Sequence, residues 1–126
     1  MGGLFVNVVS TLNGKLKNNT FNTHIDIDIN RVSYQDGGYV KVGNMVFMSI
    51  CVKGLMNLSN EPGIFVIDSG YWPKKTCALS VIETSNTNIA SALGESVTCG
   101  ITNSGHVYIK RIVTDKYYFI TGAFIV

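Results

Sequence analysis

Charge is scarce in this chain. Lys, Arg, Asp and Glu make up 14% of its 126 residues, against roughly 25% in an average soluble protein. The formal net charge is +2 and the basic residues are scattered, which excludes the clustered footprint that nucleic acid requires. Helical periodicity is almost absent, and no apolar run approaches the roughly 20 residues of a membrane-spanning helix. The apolar opening "MGGLFVNVVSTLNG" lacks a charged leading segment and is interrupted by Asn7, so no signal peptide is expected. Cys51, Cys77 and Cys99 form no C-x-x-C pair, which argues against a zinc cluster. An odd count without a secretion signal predicts free, buried thiols in a reducing compartment. No G-x-S-x-G elbow occurs, and "QDGGYVKVG" has neither the spacing nor the following helix of a phosphate loop.

Short β-forming runs fill the chain instead. "LFVNVVSTL", "HIDIDINRV", "YVKVG", "NMVFMSICVKG", "GIFVID", "CALSVIET", "SVTCGI", "GHVYIKRIV" and "YYFITGAFIV" are rich in Val, Ile, Tyr, Phe and Thr. Turn signals separate them: "NG" (13–14), "QDGG" (35–38), "GN" (43–44), "SG" (69–70), "NSG" (103–105) and "TDK" (114–116). This pattern predicts one all-β domain over residues 1–126, an antiparallel sandwich of jelly-roll type. "GITNSGHVYI" (100–109) reads as a hairpin, and "NTNIASALG" as a loop or a single turn.

The sharpest pattern is "FNTHIDIDIN" (21–30). His24, Asp26, Asp28 and Asn30 alternate with Ile25, Ile27 and Ile29, so a regular strand would place the polar groups on one face. Alternate residues lie roughly 6.5–7 Å apart along a strand, too far for His24, Asp26 and Asp28 to converge on one metal ion. Asp26 and Asp28 fall near a glycosidase separation, but nothing nearby would raise one of them into an acid. The expected reading is a solvated strand face with the isoleucines on the core side, and neither metal nor cofactor is expected.

The stretch "NMVFMSICV" (44–52) and the closing "YYFITGAFIV" (117–126) carry apolar residues on both parities. A half-solvated antiparallel strand should alternate. Burial against another copy of the chain is the simplest cover for the outer parity, so an obligate oligomer is expected.

"GGYVKVGNMVFMSICVKG" (37–54) resembles the tyrosine, basic residue, glycine-asparagine and apolar-strand pattern in C-terminal domains of bacteriophage tail-fibre and baseplate proteins. "IDSGYWPKKTCALSV" (67–81) resembles their glycine-tyrosine-x-proline turn, though Ile67-Asp68 stands where a leucine-proline pair is usual. "ITNSGHVYIKRI" (101–112) and "YYFITGAFIV" resemble the hairpin and closing strand that follow. The resemblance covers residues 37–126. It implies a homotrimeric β-sandwich head on a virion tail, assembled in the host cytoplasm. Such a head adheres, without catalysis, to a saccharide or protein of the bacterial surface and joins other tail or baseplate proteins. Residues 1–20 would be a neck or shaft strand.

"SGYWPKK" (69–75) is then the expected recognition turn. Tyr71 and Trp72 offer rigid aromatic faces, with Lys74 beside them. Asn86 and Asn88, with Ser91, in "TSNTNIASALGES" offer planar amides and a hydroxyl to a sugar. Against this, Tyr71 and Pro73 simply close a β-turn and Trp72 packs against a neighbouring subunit. Two other functions stay open: a trimerisation module without a receptor site, and a small glycan-active or metal-dependent enzyme using Asp26 and Asp28. His106 reads as a surface residue.

Overall fold

A computed structural model describes residues 21–85, 87 and 94–126 of the chain. The expected neck strand (1–20), the "NG" turn and the candidate contacts Asn86, Asn88 and Ser91 lie outside the described residues. So does most of the "NTNIASALG" segment.

Among the described residues the strands are β1 (Ile25–Ile27), β2 (Val32–Val42), β3 (Met45–Gly54), β4 (Gly63–Ile67), β5 (Cys77–Thr84), β6 (Glu95–Ile101), β7 (His106–Ile109) and β8 (Tyr117–Ile125). A single 3-10 turn at Ser69–Tyr71 interrupts them, and no helix is long and apolar enough to cross a membrane. All ladders are antiparallel, and the strands form one eight-stranded sheet in the order β1-β4-β7-β6-β5-β8-β3-β2. Its two ends meet. Asn22 and Tyr39 exchange backbone hydrogen bonds of 2.8 and 3.0 Å, joining the approach to β1 onto β2. The sheet is therefore nearly closed into a barrel.

Alternation sets the inside. Val46, Met48, Ile50 and Val52 of β3 are buried, as are Tyr118, Ile120 and Phe124 of β8 and Val107 and Ile109 of β7. These inward side chains form one core. The sheet can close because Gly38 lacks a side chain: a Cβ there would lie 2.4 Å from the Asn22 carbonyl oxygen. Tyr39, fully buried, then seals the end of the core. Its hydroxyl donates to the His24 carbonyl and accepts from the Asp68 amide at 3.0 Å.

Three expectations need correction. "QDGG" is not a turn: β2 runs straight through it, with Gln35 as the extra residue of a bulge between Tyr34 and Asp36 and Gly37 beyond it at φ 90°. The 24–30 strand is short, since Asp28 already opens a turn in which its carbonyl accepts from Arg31 and Val32. Ile25 and Ile27 pack on the core as expected, but Ile29 sits in that turn and is 75% exposed. The run over 105–113 ends as a β7 strand at Ile109, and Ile112 instead bridges Leu58. By contrast the hairpin at 100–109 forms as expected. The Gly105 amide donates to the Thr102 carbonyl, and Gly105 takes φ 77°.

Outside the barrel, β2, β3 and β8 carry apolar side chains in register. Val42, Met45 and Ile125 form one row; Val40, Phe47 and Ala123 form the next. Phe47 is 46% and Ile125 52% exposed in the single chain. These outward rows, rather than the core, make up the second apolar face of β3 and β8, and they stay partly exposed in the single chain.

Candidate functional site

On the opposite wall, four strands from β3 in the sheet order, lies β7. Its sequence "HVYI" alternates, so Val107 and Ile109 enter the core while His106 and Tyr108 face out. The two outward rings lie side by side, 6.3 Å between centroids and 31° between planes. Tyr108 is 43% exposed. Its ladder partners on either side are Gly63 of β4 and Gly100 of β6. Neither neighbour has a side chain, so the ring stands clear of the strand surface, with Gly63 directly beneath it.

Tyr108 thereby divides two grooves. One, of about 520 Å³, runs over β5 and β6, with Ala78 and Gly100 as its floor and Thr98, Glu61 and Lys110 at its sides. The other, of about 260 Å³, lies over β4 and β1 and is lined by Asp26, Asp28, Arg31 and His106. Asp26, Val66 and His106 are successive ladder partners, which brings the Asp26 carboxylate onto the His106 row. Asp28 is already occupied: one oxygen accepts from the Asn30 amide at 3.0 Å, and the other lies 3.2 Å from Arg31 Nε. Arg31 also donates to the Gly63 carbonyl at 2.9 Å, tying the β1 turn to the site. His106 Nδ1 lies 3.2 Å from the Ser104 hydroxyl, which fixes the ring. The assembly offers two aromatic faces, an accessible carboxylate, an ammonium and hydroxyls over a flat floor. Such surfaces bind polar, weakly charged molecules with one apolar face.

The other sequence candidates fall elsewhere. Tyr71 packs edge-on to Tyr39 at 4.7 Å, with Lys41 Nζ 5.3 Å from its ring centre. Trp72 donates from Nε1 to the Ile67 carbonyl at 2.8 Å and lies against Gly105, bracing the β6–β7 turn. Lys74 is exposed, and its amide donates to the Ile125 carbonyl. Both aromatics of the turn thus have structural duties, while part of the Trp72 surface remains exposed.

His24 does not join Asp26 and Asp28. It pairs with Asp68, whose second oxygen accepts from Asn22 Nδ2 at 2.8 Å. The hydrogen bond and charge of Asp68 raise the His24 pKa above its ordinary value, and bonds from Asn22 and His24 hold Asp68 below its own. Among the described residues, no group of three or more His, Cys, Asp and Glu side chains is placed to hold a metal ion.

At the other end of the barrel, Glu83 is 8% exposed and saturated with partners. Arg111 donates to both its oxygens, at 3.2 and 2.9 Å, and the buried Tyr118 hydroxyl donates at 2.7 Å. Burial pushes the Glu83 pKa up, but these bonds and the charges of Arg111 and Lys116 outweigh it and hold it low. The cysteines are free, as expected, and burial raises all three thiols, Cys51 to about 11 and Cys99 to about 12.

Tyr108 was missed by sequence reasoning, although "GHVYIKRI" was read as a hairpin strand. The signal was present: His106, Tyr108 and Lys110 share one parity, the opposite one to Val107 and Ile109. What the sequence did not reveal is that Gly63 and Gly100 flank Tyr108. The chain matches no protein-family model, no curated protein and no solved structure.

Proposed function

We propose that the protein is a non-catalytic receptor-binding head of the bacteriophage tail-fibre or baseplate type, which adheres to a saccharide of the bacterial surface. The observation that carries this reading is the Tyr108–His106 ring pair, with Tyr108 lying over Gly63 and the accessible Asp26 carboxylate beside it. Sugar rings present C–H faces to aromatic rings and hydroxyls to carboxylates and amides. A chain with only 14% charged residues, its polar side chains mainly Asn, Ser and Thr, suits that partner. In the proposed arrangement the closed sheet is flattened into a jelly-roll sandwich, and the apolar rows of β2, β3 and β8 pack against two further copies. Those rows contain no charge, and exposed patches of this kind mark interfaces. Because β7 lies across the sheet from β3, a trimer built this way points three grooves away from its axis. Avidity then multiplies a weak site. The virion tail is the proposed location.

A second reading, a trimerisation module with no receptor site, is favoured by the structural engagement of Tyr71 and Trp72. Binding of the labelled chain to a panel of bacterial surface polysaccharides separates the two. The head reading predicts retention that Tyr108→Ala abolishes while Trp72 fluorescence stays native. Retention on no polysaccharide supports the module. Turnover of a glycan, lost in Asp26→Asn, would instead indicate an enzyme.

A further inference from the structure

We propose that the Tyr108 site takes the interior of an extended glycan that is neutral or amine-bearing, and rejects an anionic one. This rests on the saccharide reading above. Length follows from shape. Tyr108 is a ridge between two open grooves of about 520 and 260 Å³. A pocket for a chain end is closed on one side; here sugars on both sides of the ring have a floor, so successive units straddle the tyrosine.

Charge follows from what each groove leaves unengaged. On the β1 side Asp28 and Arg31 satisfy each other, and Arg31 is further tied to the Gly63 carbonyl. The Asp26 carboxylate has no hydrogen-bond or ion-pair partner among the described residues; its charge is felt by His24, which is itself paired with Asp68, so that side presents net negative charge to the ligand. On the β6 side Glu61 and Lys110 line the same groove and leave it without net charge. A carboxylate accepts hydrogen bonds and donates none, so the Asp26 side selects hydroxyl or ammonium donors. An anionic group about 5 Å from Asp26 in a water-rich groove is disfavoured roughly fivefold by Coulomb repulsion alone.

The test is an array of defined linear oligosaccharides, from one to six units, in neutral, amine-bearing, uronate and phosphate-linked series. It is probed with the full chain, Asp26→Asn and Tyr108→Ala. Expected are retention of neutral and amine-bearing chains, affinity rising about tenfold or more from one unit to four, and loss of all of it in Tyr108→Ala. Asp26→Asn removes the preference for amines over neutral sugars and raises retention of uronates. Monosaccharides binding as tightly as tetramers, or uronates and phosphates preferred, would overturn the inference while Tyr108-dependent binding still upheld the saccharide reading. No retention of any series, or retention indifferent to Tyr108→Ala, sinks that reading and the inference with it.

Discussion

Gly105→Ala is a one-methyl change whose cost is set by a single contact. Gly105 sits at φ 77°, and a Cβ built on it lies 2.3 Å from both Cδ1 and Nε1 of Trp72. An L-residue in this conformation costs about 1 kcal/mol. The indole must also move, which breaks its 2.8 Å bond to the Ile67 carbonyl, a loss of about 1 kcal/mol, with more if the carbonyl is left unsatisfied. The variant should therefore lose about 2–3 kcal/mol of stability. In a Trp72→Ala background the wall is gone, and the same change should cost only the backbone term of about 1 kcal/mol. Urea unfolding of the four proteins, followed by circular dichroism, gives the coupling directly. Emission from Trp72, the only tryptophan, should shift to the red in Gly105→Ala. Equal costs of Gly105→Ala in both backgrounds would refute the bracing role of Trp72.

Removing the Tyr118 hydroxyl, as in Tyr118→Phe, strands the Val113 amide and takes a donor from buried Glu83; unfolding should show a loss of about 1–3 kcal/mol. Glu83→Gln takes the buried carboxylate away from Arg111 and Tyr118, while Glu95 still lies 3.6 Å from Arg111, and should lower the stability measured by urea unfolding at neutral pH. Because the folded Glu83 pKa is depressed, its contribution is present above the unfolded value and fades as pH falls through the folded one, so the Gln variant should converge on wild type in acid. The seam latch runs the other way at its histidine. A raised His24 pKa means its contribution is complete below about 6.5 and lost as pH rises through the folded value. The protection of the Asn22 and Tyr39 amides, taken relative to their intrinsic base-catalysed exchange at each pH, should therefore fall as pH rises above neutrality, and Asp68→Asn should abolish that fall. Light scattering should give three copies of the 13.7 kDa chain, and Phe47→Asp should leave a folded monomer.

The architecture was legible where local chemistry and burial agree. β5, β6 and the 100–109 hairpin follow from alternation bounded by Gly, Asn and Ser, and the "GN" turn joins β2 to β3 as its sequence predicts. The misreadings have local causes. In "QDGG", Gly37 takes a positive φ within a strand, where a Cβ would meet the Ser49 carbonyl oxygen, and Gly38 admits the closing Asn22 backbone; local sequence does not distinguish this from a turn. In "HIDIDIN" the alternation outlasts the strand because Asp28 caps a turn with its own side chain. The site was hidden for a non-local reason. Tyr108 projects from the wall because its neighbours are glycines from β4 and β6, and their pairing is a property of the closed sheet. Trp72 drew notice as the lone tryptophan, yet it meets the glycine of a hairpin more than thirty residues away in sequence.

The most direct test of the whole account is an amide and aromatic chemical-shift map of the full chain during titration with a retained bacterial oligosaccharide. The account predicts perturbations centred on the Tyr108 and His106 rings, Gly100, Ala78 and Asp26, with Phe47 and Ile125 unmoved. Perturbations confined to Tyr71, Trp72 and Lys74, or to the β2–β3–β8 face, would place recognition elsewhere and contradict it.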